Sequence, residues 1–507
     1  MAVNILFHIF IPIIFFISFQ FKYAGINFIV VYAFMLYFLG VKRDNKRTFI
    51  SAFIIFFIFW LMVLNWLLVI NVDLTPLQRV LVGFGWVLLS AIMGVTWSLP
   101  FSFLSLKNNE IFLLPAALSA IEYMLSSMRD LSFLWITPST ALMDYPVLIQ
   151  SADIGGSYLL SFIVIMFAVL ICKILMEKRN IIYKLVFLLF LFLITIYGVI
   201  SLNKPIEGEK IAVTLVQPNM PGEMKESYRE FIDFRFKLIK KNLEIAKKQN
   251  GEIIIFPETA SPVYLTKKTK NDIKTFLVDY TNENSKAILI GGLTYEYGEK
   301  NEEDNYYNSA FLISPNETIQ SYNKIRCVPF VERLPYEEKL KFIKKIDYGQ
   351  GGYSVGKNYT VFNYNDKKFS AYICFEAIFP THISAFVRNG AQFLVNISED
   401  AWFIKGIGAY QHYQSGILRA VENRRYLIRV SNPGISAVID PYGTIIFSTK
   451  LNTDGVFTKE IVMNDKLSIF TRSGNLIPKI FLWITLLILI FKIIWRKYGT
   501  AKIKNRS

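Results

Sequence analysis

The sequence predicts a membrane protein: eight transmembrane helices, with one water-soluble α/β domain set between the seventh and the eighth. Three observations carry that expectation. Of the 507 residues, 53% are hydrophobic and 16% aromatic, and the mean hydropathy is positive, a composition outside the usual soluble range. The apolar residues gather in runs of about 20, the length that crosses a bilayer, until short alternating segments with charges, Gly, Pro and Asn take over. Finally, Lys and Arg concentrate in short loops that strict alternation of the spans puts on one face.

The runs lie at about 3–21, 24–41, 49–71, 80–102, 110–128, 155–176 and 181–202, with an eighth near 476–495. They divide the chain into a seven-span region over 1–203, a globular domain over 209–463 and a C-terminal span over 475–496. The basic loops are "KRDNKR" at 42–47, "EKRN" at 177–180 and the tail from Arg496. With all three in the cytoplasm, the globular domain lies on the outside. Much of the net charge of +16 then has a topological origin, and no nucleic-acid partner is needed to explain it. The first apolar run has no basic leader and no small-residue cleavage site, so it is expected to be a retained span.

Cys172 falls in the sixth span, and Cys327 and Cys374 fall in the globular domain. Sequence leaves open whether those two pair, although sparse cysteines in an oxidising compartment are more often free. The histidines are His8, His382 and His412, and no C-x-x-C or H-E-x-x-H spacing occurs. No metal site is expected, and no cofactor.

The globular domain opens with "KIAVTLVQPN" (210–219), an alternating strand. "SYREFIDFRFKLIKKNLEIAKKQN" then has apolar residues at helical spacing, and "GEIIIFPETA" (251–260) returns to a buried strand. Further strands follow in "AILIGGLTY", "YYNSAFLISP", "FSAYICFEAIF", "AQFLVNISEDAWF" and "YLIRVSNPGISAVIDPYG". Buried and alternating strands interleaved with helices predict a sheet sandwich covered by helices. Three strand ends, where catalytic groups tend to sit, present useful chemistry: Glu258 in "FPET", Lys324 in "SYNKIRCVPF" and Cys374 in "YICFEAIF". A thiol nucleophile needs a base and a partner for the oxyanion, and glutamate and lysine supply both.

Those blocks, with "VPFVERLP", "NISEDAWF" and the long "YQHYQSGILRAVENRRYLIRVSNPGISAVIDPYG", resemble the nitrilase superfamily. "LLPAALSAIEYMLSSMRD" and "IQSADIGGSYLLSFIV" extend the resemblance to the membrane part, so that nearly the whole chain is similar to the membrane-integrated apolipoprotein N-acyltransferases. The resemblance implies a nitrilase-like αββα sandwich and a catalytic triad of Glu258, Lys324 and Cys374. It also implies two supporting glutamates, Glu332 and Glu376, and an aromatic beside the site, Trp402. The chain departs from the family pattern at three places. Phe375 stands where tyrosine is common, Val331 replaces a glycine before the supporting glutamate, and "SED", with Glu399 in the middle, replaces S-N-D.

The implied reaction is acyl transfer in two steps through a thioester on Cys374. Glu258, its proton affinity raised by burial, acts as base; Lys324 and the backbone N–H of Phe375 hold the oxyanion. The donor is a phospholipid and the acceptor the N-terminal α-amine of a diacylated lipoprotein. The resemblance further implies the cytoplasmic (inner) membrane, the catalytic domain on its periplasmic side, and a monomer as a sufficient unit. Two features fit lipid entry: "SPVYL" (261–265), and "LPYEEKLKFIKKIDY" (334–348), with Leu340, Ile343 and Ile346 on one helical face. Glu122 lies mid-span, where an ionisable group is costly. Taken singly, each residue has a plainer reading: Cys374 as a small core hydrophobe, Glu258 as a helix cap, Lys324 as a solvated lysine. His412 offers a Cys–His alternative. A membrane-anchored nitrilase-type amidase and a silent scaffold or transporter are the competing functions.

Overall fold

The computed structural model describes residues 2–42, 45–70, 74–220, 227–265, 271–297, 304–316, 318–339, 351–403 and 406–504. Its first part is helical: α1 (Ala2–Ser18), α2 (Gly25–Lys42), α3 (Asn45–Val63), α4 (Pro76–Ser98), α5 (Leu114–Ser126), α6 (Pro146–Ile149), α7 (Ala152–Met176) and α8 (Ile181–Leu202). Among the described residues, five stretches are long and apolar enough to cross a membrane: Asn45–Val69, Pro76–Ser102, Ala152–Met176, Ile181–Leu202 and Leu476–Ile494. Ile5–Ser18 and Gly25–Gly40 are apolar but shorter.

The run expected to be the fifth span is divided. A 3₁₀ turn covers Asn109–Leu113, and the α-helix starts only at Leu114, with Pro115 in its first turn. Proline lacks an N–H and fits that position. The resulting α5 has 13 residues, about 20 Å, and most of its side chains are buried by its neighbours. By contrast α4, α8 and the C-terminal helix carry exposed Phe84, Ile92, Leu188, Phe192, Leu487 and Phe491, an apolar belt that water would not tolerate.

The second part alternates strands and helices: β1 (Lys210–Gln217), α9 (Tyr228–Lys247), β2 (Ile253–Ile255), α10 (Asp272–Asn284), β3 (Ala287–Glu296), β4 (Asn305–Ser314), β5 (Thr318–Asn323), β6 (Phe362–Tyr364), β7 (Lys367–Ile373), α11 (Pro380–Arg388), β8 (Phe393–Glu399), α12 (Gly408–Asn423), β9 (Leu427–Asn432), β10 (Ala437–Ile439), β11 (Ile445–Ser448) and β12 (Gly455–Val462). Then come α13 (Ile469–Ser473) and α14 (Leu476–Lys504). The strands form two six-stranded sheets, ordered β12-β1-β2-β3-β4-β5 and β11-β10-β9-β8-β7-β6. In each, three central strands run parallel and the outer ones antiparallel.

The two-residue period of the strands explains the layers. Ile254, Ile288 and Ile290 pack with Ile239 and Leu243 of α9 and Leu277 of α10. Their alternates Ile253, Ile255 and Leu289 join Ala371, Val395 and Ile428 in the core between the sheets. The outer face of the second sheet is covered by α11 and α12, and α12 packs in turn on α7 of the helical part. This is an αββα sandwich seated on a bundle of apolar helices. Its parallel strands end on one side, the usual place for a site in such sheets.

Candidate active site

Glu258 follows β2 after Phe256 and Pro257, at a close approach of two strands. A Cβ on Gly291 of β3 would lie 2.5 Å from Glu258 Cα and 2.7 Å from the Pro257 oxygen, so only glycine fits. The Gly291 N–H donates to the Pro257 carbonyl at 3.1 Å and fixes the segment. Lys324 ends β5, its N–H bonded to the Asn308 carbonyl and its carbonyl to the Gly356 N–H. Cys374 ends β7 and turns the chain into a 3₁₀ segment with φ +51°, a left-handed conformation unfavourable for a residue with a Cβ.

The Glu258 and Lys324 side chains meet, and Cys374 is near enough to feel both charges. Lys324 Nζ lies 2.8 Å from Glu332 Oε1 and 3.4 Å from Glu258 Oε1. Asn308 Nδ2 donates to the same two oxygens, at 2.7 Å to Glu258 and 3.0 Å to Glu332. Glu258 Oε2 accepts the Glu399 N–H at 2.7 Å, and Glu332 Oε2 the Val328 N–H at 2.7 Å. Glu258 is 4% exposed, Lys324 1% and Cys374 8%. Two carboxylates and one ammonium leave surplus negative charge in a dry cluster. Burial, and then the charge of Glu332, raise the proton affinity of Glu258 against the pull of Lys324 and Asn308. Burial works against the charge of Lys324, but Glu332 and Glu258 outweigh it and keep the ammonium protonated. The Cys374 thiol is pushed well up, first by burial and then by Glu258. Both anions are disfavoured here, and the thiolate forms as Glu258 takes the proton.

Glu376 ties two strand ends together. Its oxygens accept the Ile373 N–H at 2.7 Å, the Tyr322 hydroxyl at 2.6 Å and the Ile325 and Arg326 N–H groups at 2.9 and 3.0 Å, and His382 Nε2 lies 3.1 Å away. Burial opposes its charge, but His382 and these donors hold the carboxyl down at about 2. Phe375 is buried against Phe379 and against Phe133 from the helical part. Trp402 is 38% exposed, and Val331 with Phe330 is exposed on the turn before Glu332.

Sequence reasoning did not single out Asn308 or Asp400. Asn308 is a buried amide inside the apolar strand β4, and a polar group in such a run needs partners, which was the available signal. Asp400 accepts from Ser398, Ser431 and Arg429 at 2.8, 2.7 and 2.6 Å and from His412 Nδ1 at 2.9 Å. His412 is thus engaged with Asp400 through Nδ1 and lies against Trp135 and Phe403. All three cysteines are free. Leu265 of the 261–265 segment is buried. Leu340, Ile343 and Ile346 of the expected surface helix lie outside the described residues. Glu122 is buried in α5 beside a cavity shared with Tyr158, Ser157 and Arg419, where the helices meet the sandwich.

Strand-end Glu, Lys and Cys on an αββα sandwich define a carbon-nitrogen hydrolase fold and site, and residues 212–466 match the family model for carbon-nitrogen hydrolases. Residues 13–170 match the apolipoprotein N-acyltransferase N-terminal domain. Among curated relatives, the chain is 32% identical to an apolipoprotein N-acyltransferase of Geobacter metallireducens, over 66% of this chain and 64% of that one. It is 32% identical to one from Rickettsia typhi, over 66% and 68%, and 27% identical to one from Aquifex aeolicus, over 83% and 91%. The chain belongs to the apolipoprotein N-acyltransferase family, acyltransferases of the carbon-nitrogen hydrolase superfamily.

Proposed function

We propose that this protein moves an acyl chain from a phospholipid to the N-terminal α-amine of an S-diacylglyceryl-cysteine lipoprotein, through a thioester on Cys374. The observation that carries this reading is the buried Cys374 thiol at a strained strand end, in a cluster where a carboxylate of raised proton affinity, Glu258, is bonded to a locked ammonium, Lys324. Glu258 takes the thiol proton as sulfur attacks the ester carbonyl. Lys324 and the Phe375 N–H hold the oxyanion. The ester C–O bond breaks, Glu258 returns the proton to the departing lysophospholipid, and the acyl chain is left on sulfur. In the second step the amine attacks the thioester, Glu258 accepts its proton, and the released thiolate is reprotonated as the amide forms. Glu332 and Glu376 keep Lys324 and the Cys374 turn in place.

Eight membrane crossings, with the sandwich on the extracytoplasmic side of the inner membrane, fit this chemistry, because both substrates are anchored in lipid and confinement raises their effective concentration. The bundle supports that topology. A Cβ at Gly40 would touch Met176 and Leu106, and Lys492 donates to the Phe103 carbonyl. The C-terminal ends of α2 and α7 and the Lys492 stretch of α14 therefore gather at one end of the bundle. The sandwich sits at the other, where Phe133 meets Phe375 and Trp135 bonds to Gln411. One chain contains every group used.

The test is to incubate the purified protein with a phospholipid carrying a deuterated acyl chain and a diacylated lipopeptide. Transfer of the labelled chain to the lipopeptide amine, with one lysophospholipid per product, is expected. Labelled free fatty acid with an unchanged lipopeptide would show a hydrolase instead.

A further inference from the structure

Thr259, immediately after Glu258, has φ +50°, a costly conformation for a β-branched residue. Two side chains grip it, the buried Arg235 and the half-buried Glu399. Arg235 of α9 donates to the Thr259 carbonyl at 2.6 Å, and the Thr259 hydroxyl donates to Glu399 Oε2 at 3.4 Å. The backbone N–H of Glu399 donates in turn to Glu258 Oε2 at 2.7 Å. The Glu399 carboxylate is completed by Asn432 Nδ2, at 3.0 and 3.2 Å, and by the Ala401 N–H at 3.3 Å. A single residue thus touches both the carboxylate proposed as the base and the residue that orients it. It is also the residue at which the chain departs from the neutral asparagine of the family pattern.

We propose that Glu399 is a positioning residue whose own charge sets the basicity of Glu258, so that reactivity of the site follows the ionisation of a second carboxyl. This rests on the reading of Glu258 as the base. Among the described residues, the charged groups facing Glu399 are Arg235 from α9 and Glu258 from the segment after β2, while β9 presents the neutral Asn432. Asp400, next in the chain, is occupied by Arg429 and His412. Burial, helped by the charge of Glu258 and opposed by Asn432 and Arg235, pushes the Glu399 carboxyl up to about 8. Below that pH Glu399 is neutral. Above it, a second negative charge stands behind Glu258, disfavours the Glu258 anion and makes it the stronger proton acceptor. An asparagine could hold Thr259 and Asn432 by hydrogen bonds, but it would not titrate.

The test follows alkylation of Cys374 by iodoacetamide in the full-length protein across pH 6–9, quantified by peptide mass spectrometry so that Cys172 and Cys327 are counted separately. It requires no acyl transfer. Because the thiol and Glu258 exchange the proton within the pair, the rate is level with pH except where a neighbour changes charge. A rise of roughly tenfold, centred near pH 8, is expected in the wild type. In Glu399→Gln, and in Glu399→Asn should the glutamine variant not fold, the rise disappears and the rate at pH 9 equals the wild-type rate at low pH. A step that survives in the folded variant overturns the proposal. Glu258→Gln separates the two readings: it should slow alkylation at every pH, and an unchanged rate would overturn the assignment of the base itself, and the proposal with it.

Discussion

Asn308 spends one amide group on two carboxylates, Glu258 and Glu332, that would otherwise repel each other. Replacing it with alanine removes two hydrogen bonds to charged groups, each about 1.5–3 kcal/mol. Asn308→Ala should lower kcat/KM roughly 10–100-fold while circular dichroism shows a folded protein; unchanged kinetics would mean that Lys324 alone holds the pair. Glu376 makes a pH-dependent prediction. Its carboxyl is held down at about 2 in the folded protein, so its stabilising contribution is complete above the ordinary carboxylate pKa and is lost as pH falls toward 2. That contribution is on the order of 3 kcal/mol. The Tm gap between wild type and Glu376→Gln should therefore be widest above pH 5 and narrow on acidification, and a gap independent of pH would contradict the assignment. At this scale Glu258, Lys324 and Cys374 were legible as reactive types at strand ends. Asn308 and Asp400 were not, because an amide in a strand and a carboxylate in a loop disclose their partners only when distant segments meet.

The elements place these residues through a few backbone approaches that admit no side chain. Gly291 is one. A methyl there would meet the backbone of Glu258 and Pro257 at 2.5 and 2.7 Å, and neither can swing aside as a side chain would. Gly291→Ala should push β2 and β3 apart and displace Glu258 by a fraction of an ångström or more, enough to cost about 100-fold in rate in a protein that still folds. Gly156 is another. It breaks α7 at φ +67°, lies under the ring of Phe470, and frees the Ser157 N–H to donate to Glu422 of α12 at 2.7 Å. Gly156→Ala should cost about 1–3 kcal/mol, seen as a lower Tm; an unchanged Tm would mean that the break is not required. Apolar runs made α3, α4, α7, α8 and α14 legible, and buried or alternating segments did the same for β1–β4 and β7–β10, while the short β6 and β11 carried no such run. The shortness of α5 was hidden, since hydropathy reports length of grease and Pro115 sets where the α-helix begins.

At the scale of the whole molecule, the sandwich is fastened to the helices by half-buried polar contacts as well as by grease. Arg424, at the end of α12, gives Asp153 two hydrogen bonds at 2.8 and 3.1 Å and also binds Gln150 at the start of α7. Lysine cannot reproduce that planar fork. Arg424→Lys should lower stability by about 1–3 kcal/mol and lower transfer between lipid-borne substrates more than alkylation of Cys374 by a small reagent. Equal effects on both would mean that the joint does not serve lipid delivery. This fastening could not be read from sequence, because Arg424 and Asp153 are 271 residues apart and neither stands out from its neighbours.

The most direct test of the central claim is the intact mass of the purified protein after incubation with phospholipid alone, beside Cys374→Ala. The account predicts a wild-type mass increased by one fatty acyl group, absent from the alanine variant and discharged when a diacylated lipopeptide is added. A folded wild type that gains no acyl mass, or an adduct that persists in Cys374→Ala, would contradict it.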